Sequence, residues 1–326
     1  MREAMARAEV GDDVFGEDPT AARLEATVAE LVGKEAALFV SSGTMGNQLA
    51  INTQTHPGEE IIVGEGAHCA WYESGAAAAV SGVQAVAVGQ GGLFTAAEME
   101  AAVKPQADWY PRTRLVALEN THNRAGGLVW PQAQLEAVTR RARELGLTLH
   151  LDGARLWNAA VATGLAPKII AAPFDSVSVC FSKGLGAPVG SALCGSRELV
   201  TRARRARKML GGGMRQIGIL AAGALYALEH HRERLAEDHE NAAAIARDLA
   251  DEPGVRVDVA RVQTNIVMVD VPGVPAAKVV DAARAAGVLV SGFGPERLRL
   301  VTHLDVAKTA REGGRRLAKA IASVRG

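Results

Sequence analysis

Leu147-Thr148-Leu149-His150-Leu151-Asp152-Gly153 is an apolar run that ends in a carboxylate, and similar runs recur along the chain. Another is Val179-Cys180-Phe181-Ser182-Lys183-Gly184-Leu185-Gly186, which ends in a lysine followed by closely spaced glycines. Short apolar runs with polar ends predict buried strands, and the helical patterns between them predict βα units. The sequence therefore indicates an α/β fold with a mostly parallel sheet.

The predicted strands fill the first two-thirds of the chain and become sparse after it. They lie at Ala36–Val40, Glu60–Val63, Ala85–Val88, Arg114–Glu119, Leu147–Asp152, Ser176–Phe181 and Ser191–Cys194. Residues 217–249 follow a helical pattern, as one long helix or two. The tail adds strands at Val255–Val259, Asn265–Val271 and Leu298–Thr302, with helices at Pro275–Ala286 and Asp305–Val324. We therefore predict a large α/β domain over residues 1–236 and a small α+β domain over residues 237–326.

The composition narrows the class of protein. Hydrophobic residues make up 48% of the 326, enough for a sizeable core. Lys plus Arg equals Asp plus Glu at 36 each, and this balance argues against nucleic acid as a partner. The basic run at residues 202–208 is interpreted as a solvated helix face. No stretch suits a signal peptide or a bilayer span, and three cysteines show no metal or disulfide spacing, so we expect a cytoplasmic protein without a metal site.

Ligands of open α/β sheets bind at the carboxyl ends of the strands, so the polar residues there are the candidates for chemistry. Lys183 could simply end a strand, but the glycines after it would let a flat cofactor approach the backbone and form a Schiff base with its amine. Asp152 could cap a helix, or it could pair with the ring nitrogen of pyridoxal phosphate. Arg155 could reach that cofactor or a substrate carboxylate through its fork of donors.

A third element, Ser41-Ser42-Gly43-Thr44-Met45-Gly46-Asn47, follows the strand Ala36–Val40. A strand, then small and hydroxyl residues, then a helix start is a pattern that binds phosphate, although it is equally an ordinary helix cap. It matches neither a P-loop nor a dinucleotide fingerprint. Phosphate cradle, ring-nitrogen carboxylate and lysine occur here in the chain order of the pyridoxal-phosphate enzymes typified by aspartate aminotransferase, and this order predicts pyridoxal phosphate as the cofactor.

Beyond that order, the sequence resembles one family, the low-specificity L-threonine aldolases. The resemblance spans nearly the whole chain and rests on the motifs Glu9–Thr20, Ser42–Gln48, Leu118–Asn123, Leu151–Ala159, Ser182–Gly190, Gly211–Gln216 and Arg299–His303. It implies retro-aldol cleavage of β-hydroxy-α-amino acids such as threonine to glycine and an aldehyde. It also implies a homotetramer built from dimers with shared active sites.

The resemblance also implies a role for each site residue. Lys183 would carry the cofactor, Asp152 would hold its ring nitrogen, and Ser42, Gly43 and Thr44 would bind its phosphate. Arg215 would assist from a neighbouring subunit, and His68 would stack on the ring. His122 would lie near the substrate hydroxyl, and Arg155 and Arg299 would bind the substrate carboxylate. The catalytic base is left open among His68, His122 and a water molecule.

Three alternatives to the aldolase reading stay open. The same fold supports β-elimination or transamination, and the residues around His122 argue against transamination. Members of the family begin with a Ser-Asp-Thr-Val-Thr stretch that is absent before Met1 here, so we expect either a start further upstream, which we favour, or an impaired cofactor-binding protein. A dehydrogenase is disfavoured, because no dinucleotide glycine pattern follows the first strand.

Overall fold

A computed structural model describes residues 1–325. Contacts divide the chain into two compact units, of which the first holds residues 1–125 and 130–232 and the second holds residues 126–129 and those from 233 onward. The boundary predicted at 236/237 lies inside a helix of the second unit, Leu235–Ala250. No helix within residues 1–325 is both long and apolar enough to cross a membrane.

The first unit is built on one seven-stranded sheet with the order β1-β7-β6-β5-β4-β2-β3. Its strands are β1 (Ala36–Val40), β2 (Glu60–Gly64), β3 (Gln84–Val88), β4 (Thr113–Glu119), β5 (Thr148–Gly153), β6 (Ser176–Cys180) and β7 (Ser191–Gly195). β7 is antiparallel to both β1 and β6, and the other pairs are parallel. All strands except β7 therefore point the same way, as predicted for a mostly parallel sheet.

Helices of the first unit connect and cover these strands. They are α1 (Arg2–Ala6), α2 (Pro19–Val32), α3 (Gly43–Gln54), α4 (His68–Trp71), α5 (Ala76–Ser81), α6 (Ala96–Ala102), α7 (Gln132–Glu144), α8 (Leu156–Thr163), α9 (Pro167–Ala171), α10 (Arg197–Met209) and α11 (Gly218–His230). Alternate side chains of β1 and β7, including Leu38 and Leu193, pack with Leu49 of α3 and Leu199 of α10. This packing fixes the start of α3 beside the sheet.

The second unit has its own core. It contains α12 (Leu235–Ala250), β8 (Ile266–Asp270), α13 (Ala276–Ala285), β9 (Ser291–Gly292), β10 (Arg297–Val301) and α14 (Ala310–Arg325). The three strands form an antiparallel sheet in the order β8-β10-β9, and apolar residues of the helices pack against it. The strand predicted at Val255–Val259 is wrong: Arg256 makes one bridge to Asp270, and the chain then enters a 3-10 turn at Val259–Arg261.

Candidate active site

The carboxyl ends of the parallel strands lie at one edge of the large sheet. Ser42 follows β1, His122 follows β4, Asp152 lies near the end of β5 and Lys183 follows β6. β4 and β6 both neighbour β5, and Asp152 is in register with Glu119 on one side and Ser178 on the other. The topology thus gathers most of the predicted site residues at the edge where ligands of such sheets bind.

Asp152 is a buried carboxylate with defined hydrogen-bond donors. Its Oδ1 accepts a bond from the backbone N–H of Ala154 at 3.1 Å, and its Oδ2 accepts one from Nδ2 of Asn47 at 2.7 Å. Two carboxylate oxygens offer about four acceptor positions, so capacity remains for a further donor. This is the chemistry that a protonated ring nitrogen needs.

A second buried carboxylate, Glu73, lies beside Asp152 and was not predicted from the sequence. Its Oε1 lies 2.9 Å from Nδ2 of Asn47 and 2.7 Å from Nδ1 of His68, and its Oε2 accepts from Nε2 of Gln48 at 2.6 Å. Ligand atoms of His68, Glu73 and Asp152 all lie within 4.8 Å of one another. Because N–H groups already point at these carboxylates, the cluster is a hydrogen-bond network.

His68 is held at both its backbone and its ring. Its backbone N–H donates to Oε2 of Glu119 at 2.7 Å, and its ring lies 5.6 Å from that of Tyr72. The hydrogen bond with Glu73 raises the pKa of His68 above its ordinary value, while burial acts in the opposite direction. Asp152 also favours the charged ring, and Lys183 opposes it.

His122 is buried almost completely, and its two ring nitrogens differ. Nδ1 accepts the backbone N–H of Ala125 at 3.2 Å. Nε2 has no hydrogen-bond partner among residues 1–325, and neither has the buried hydroxyl of the adjacent Thr121. Unpartnered buried polar atoms are costly, and two of them on consecutive residues after β4 fit a position where a ligand supplies the missing partners.

The start of α3 supplies a tight backbone turn with hydroxyl groups. Ser42 is the N-cap, and its Oγ accepts the N–H of Met45 at 3.1 Å. A Cβ at Gly43 would approach Sγ of Cys180 to 2.8 Å, so only glycine lets the helix start lie this close to β6. The N–H groups of Gly43 and Thr44 belong to the first turn, which has no helical acceptors for them. They fit a phosphate group.

Two predicted cations accompany these carboxylates: Arg155 lies three residues after Asp152, and the charge of Lys183 acts on His68. Half-buried Lys183 lies in a turn closed by the N–H of Gly186, which donates to the Lys183 carbonyl at 2.9 Å. His231 holds the same turn by donating from Nδ1 to the Leu185 carbonyl at 2.6 Å. Arg155 is buried at the start of α8, and its Nη1 donates to Oδ1 of Asn123 at 3.3 Å.

The remaining two predicted arginines, Arg215 and Arg299, have contacts of their own. Arg215 is exposed, and its Nη1 contacts Oδ2 of Asp12 at 2.6 Å with its guanidinium 5.9 Å from the Phe15 ring. Arg299 lies on β10 of the second unit, where its guanidinium is 5.1 Å from the Phe293 ring. The roles of these two arginines toward cofactor and substrate stay predictions.

The hydrogen-bond network continues into the interior through residues that no sequence signal marked. Nε2 of His150 lies 3.2 Å from Oδ1 of Asn47, and Nδ1 lies 2.8 Å from Oγ of Ser176. Nε2 of Gln54 donates to the same hydroxyl at 2.7 Å. A polar residue between Leu149 and Leu151 in a buried strand is the one pattern that could have drawn attention to His150.

Comparison with known proteins gives matches over most of the chain. A family model described as beta-eliminating lyase matches residues 1–272. The chain is 44% identical over 310 residues to the low specificity L-threonine aldolase of Escherichia coli (strain K12), covering 94% of this chain and 91% of that protein. It is 43% identical over 314 residues to low-specificity L-threonine aldolase 1 of Arabidopsis thaliana, covering 94% and 88%.

Solved structures share the fold. The threonine aldolase of Leishmania major superposes with a TM-score of 0.78 at 23% identity, over 99% of this chain and 95% of that one. A high-resolution structure of SPT with PLP superposes with a TM-score of 0.76 at 19% identity, over 99% and 83%. These likenesses confirm the predicted fold class, the aspartate-aminotransferase-like fold type I of pyridoxal-phosphate enzymes.

Proposed function

The chain belongs to the beta-eliminating lyase family and resembles its low-specificity L-threonine aldolases, and from this we propose that it cleaves L-threonine, L-allo-threonine and related β-hydroxy-α-amino acids to glycine and an aldehyde. One observation carries the proposal. The edge of the large sheet combines a lysine after β6, a buried carboxylate on β5 and two histidines after β2 and β4. A retro-aldol lyase needs this set of groups, namely an amine, a ring-nitrogen partner and a proton acceptor for the hydroxyl.

We propose pyridoxal 5'-phosphate as the cofactor, because the residues present fit it. When bound, it supplies an electron sink for cleavage of the bond between the α and β carbons of the substrate. Lys183 supplies the amine that attaches the cofactor aldehyde. Asp152, held by Asn47 and the N–H of Ala154, would accept a hydrogen bond from the protonated ring nitrogen and keep it charged. Ser42, Gly43 and Thr44 bind the phosphate at the start of α3.

The other residues act on the substrate. Arg155 binds the substrate carboxylate, which orients the bond to be broken. His68 and His122 hold or move the proton of the β-hydroxyl. The unpartnered Nε2 of His122 and Oγ1 of Thr121 support a polar group of the ligand near the end of β4.

We propose that the chain works as a homodimer or homotetramer in the cytoplasm, with Arg215 reaching the site of a neighbouring copy. Exposed apolar side chains close to Arg215 in the sequence and structure support an interface, since Phe15 and Met209 are each 72% exposed. The three cysteines are free and buried, which supports a reducing compartment. Light scattering on the purified protein tests the assembly: a monomer at micromolar concentration contradicts it.

The test of the function is threonine cleavage by the purified protein. We expect an absorbance band of bound cofactor and release of glycine with acetaldehyde in a coupled assay. The family model is named for β-elimination, which is the second candidate and yields ammonia and a keto acid instead. If the absorbance band appears but ammonia is released in place of acetaldehyde, β-elimination replaces the aldolase proposal. If the band is absent even after cofactor is added, the cofactor proposal is overturned.

A further inference from the structure

The orientation of the Asn47 amide is set by the two carboxylates beside it. One side of the amide faces Oδ2 of Asp152 at 2.7 Å and Oε1 of Glu73 at 2.9 Å. An ionised carboxylate only accepts hydrogen bonds, so the NH2 group faces both carboxylates and the amide oxygen faces away. The alternative flip would direct a carbonyl oxygen at two negative groups.

This orientation fixes the direction of the hydrogen bonds behind it. Because the amide oxygen of Asn47 faces Nε2 of His150, that nitrogen donates. Nδ1 of His150 then accepts from the hydroxyl of Ser176, whose oxygen accepts from Gln54. Burial lowers the pKa of His150 to about 4, and a neutral ring with one donor and one acceptor is what this chain of bonds requires.

His68 lies on the other side of Glu73, and its hydrogen bond also has a defined direction. The Glu73 carboxylate accepts N–H groups from Asn47 and Gln48, and its Oε1 accepts from Nδ1 of His68 as well. We propose that Glu73 is a positioning residue that holds His68 with the proton on Nδ1, so that Nε2 is the ring nitrogen that accepts a proton. The catalytic meaning of this inference rests on the proposed function.

His122 has the opposite arrangement. Its Nδ1 accepts the N–H of Ala125, so the neutral ring carries its proton on Nε2. Oε2 of Glu119 lies 3.8 Å from that nitrogen. The two histidines therefore differ in role: His68 accepts the proton of the substrate hydroxyl, and His122 donates a hydrogen bond.

The charges that face His68 come from several elements. Glu73 follows α4, Asp152 lies on β5, Lys183 follows β6, and Glu119 at the end of β4 accepts the backbone N–H. Of the carboxylates, Glu73 alone makes a hydrogen bond to the ring among the contacts seen in residues 1–325. A variant that removes the charge of Glu73 but keeps Asp152 and Lys183 therefore measures the effect of Glu73 on protonation of the His68 ring.

The experiment is the pH dependence of carbethoxylation at His68, followed by peptide mass spectrometry on the purified full-length protein. The reagent attacks neutral imidazole, so the pH of half-maximal rate reports how readily the ring is protonated. In Glu73→Gln we expect this pH to fall by about one unit or more, since a neighbouring carboxylate shifts a partner by one to three units. Gln48→Leu, which removes an amide donor and keeps the carboxylate, should not lower it.

An unchanged half-maximal pH in Glu73→Gln overturns the inference, and so does an equal fall in Gln48→Leu. If the variants do not fold, the wild-type protein still decides: a half-maximal pH at or below about 6.5, the free histidine value, contradicts the pairing. In the active enzyme the acidic limb of kcat/KM should move to lower pH with the same variant. A shift at His68 without aldehyde release supports the pairing and contradicts the proposed function.

Discussion

Nε2 of His150 lies 3.2 Å from Oδ1 of Asn47, inside the large sheet and behind the carboxylate of Asp152 in the same hydrogen-bond network. The other ring nitrogen, Nδ1, lies 2.8 Å from the hydroxyl oxygen of Ser176. His150 is therefore a neutral histidine that links the interior of the sheet to the site. Within residues 1–325 no carboxylate is hydrogen-bonded to this ring, and Asp152 acts on it only at a distance.

We expect the stability of the protein to fall at mildly acidic pH because of His150. Burial depresses its folded pKa to about 4, against about 6.5 in the unfolded chain. Its contribution is fully present above pH 6.5 and is lost as pH falls toward 4, because the unfolded state then binds the proton more readily. Between pH 7.5 and pH 5 this amounts to about 2 kcal/mol.

Urea unfolding at fixed protein concentration measures this contribution at the two pH values. Replacement of His150 by Gln keeps a polar side chain but removes the titration, so the loss between pH 7.5 and pH 5 should be smaller in the variant. An equal loss in both proteins would mean that His150 does not titrate as proposed. His239, whose pKa burial also lowers to about 4, remains in both proteins and cancels in the comparison.

Replacement of Lys183 by Ala should abolish both the absorbance band of covalently attached cofactor and threonine cleavage. The lysine follows β6 at the site edge, and its amine is the group proposed to attach the cofactor. Lys34 serves as a control, since its Nζ donates to the Phe174 carbonyl at 2.6 Å, away from the site residues in the network. Lys34→Ala should keep the band. Full turnover in Lys183→Ala would refute the role of this lysine.

The sequence predicted the scaffold well because its information is local. The runs at Ala36–Val40 and Leu147–Asp152 are apolar and bounded by polar residues, and the strands form within one residue of those limits. The run at Val255–Val259 alternates apolar and polar residues, which also predicts a strand, yet among residues 1–325 it pairs only through one bridge between Arg256 and Asp270. Pairing is a property of the tertiary structure, which the local pattern does not contain.

The site was predictable where a residue follows a strand and not where it depends on a contact between distant segments. Lys183 and Asp152 follow apolar runs, so their position at the sheet edge could be deduced. Glu73 lies in a segment without such a pattern, and it becomes important only because Asn47 and His68 meet it in space. The basic run at residues 202–208 predicts a solvated helix face, but Arg207 within it is buried.

Arg207 forms a buried ion pair with Asp13, and breaking that pair should destabilise the protein strongly. Nη2 lies 2.8 Å from Oδ2 of Asp13, and Nη1 donates to the Phe39 carbonyl at 2.6 Å. In Asp13→Asn the guanidinium stays buried without its counter-charge, and we expect a loss of about 3 kcal/mol in the free energy of unfolding. Denaturant unfolding measures it.

The matched control is the exposed pair of Glu3 and Arg7, whose atoms lie 2.7 Å apart at the surface. Glu3→Gln should change the free energy of unfolding by less than about 0.5 kcal/mol, because solvent screens exposed charges. Similar losses in the two variants would show that burial is not what makes the Asp13 pair important.

The packing of Gly92 against His122 should make this glycine essential for activity. Gly92 has φ +93°, and a Cβ built on it would meet the His122 ring at Nδ1, Cε1 and Cγ. Gly92→Ala therefore both strains the backbone and displaces the ring, and small displacements of a reacting group reduce rates by tenfold to a hundredfold.

Gly164→Ala separates the two effects, because Gly164 also has a positive φ of +72° but a Cβ there meets nothing within 4 Å among the described residues. Gly164→Ala should lose about 1 kcal/mol of stability and Gly92→Ala more, while only Gly92→Ala should lower kcat/KM for threonine cleavage by about tenfold or more. Equal activities in the two variants would contradict a role for the position of the His122 ring.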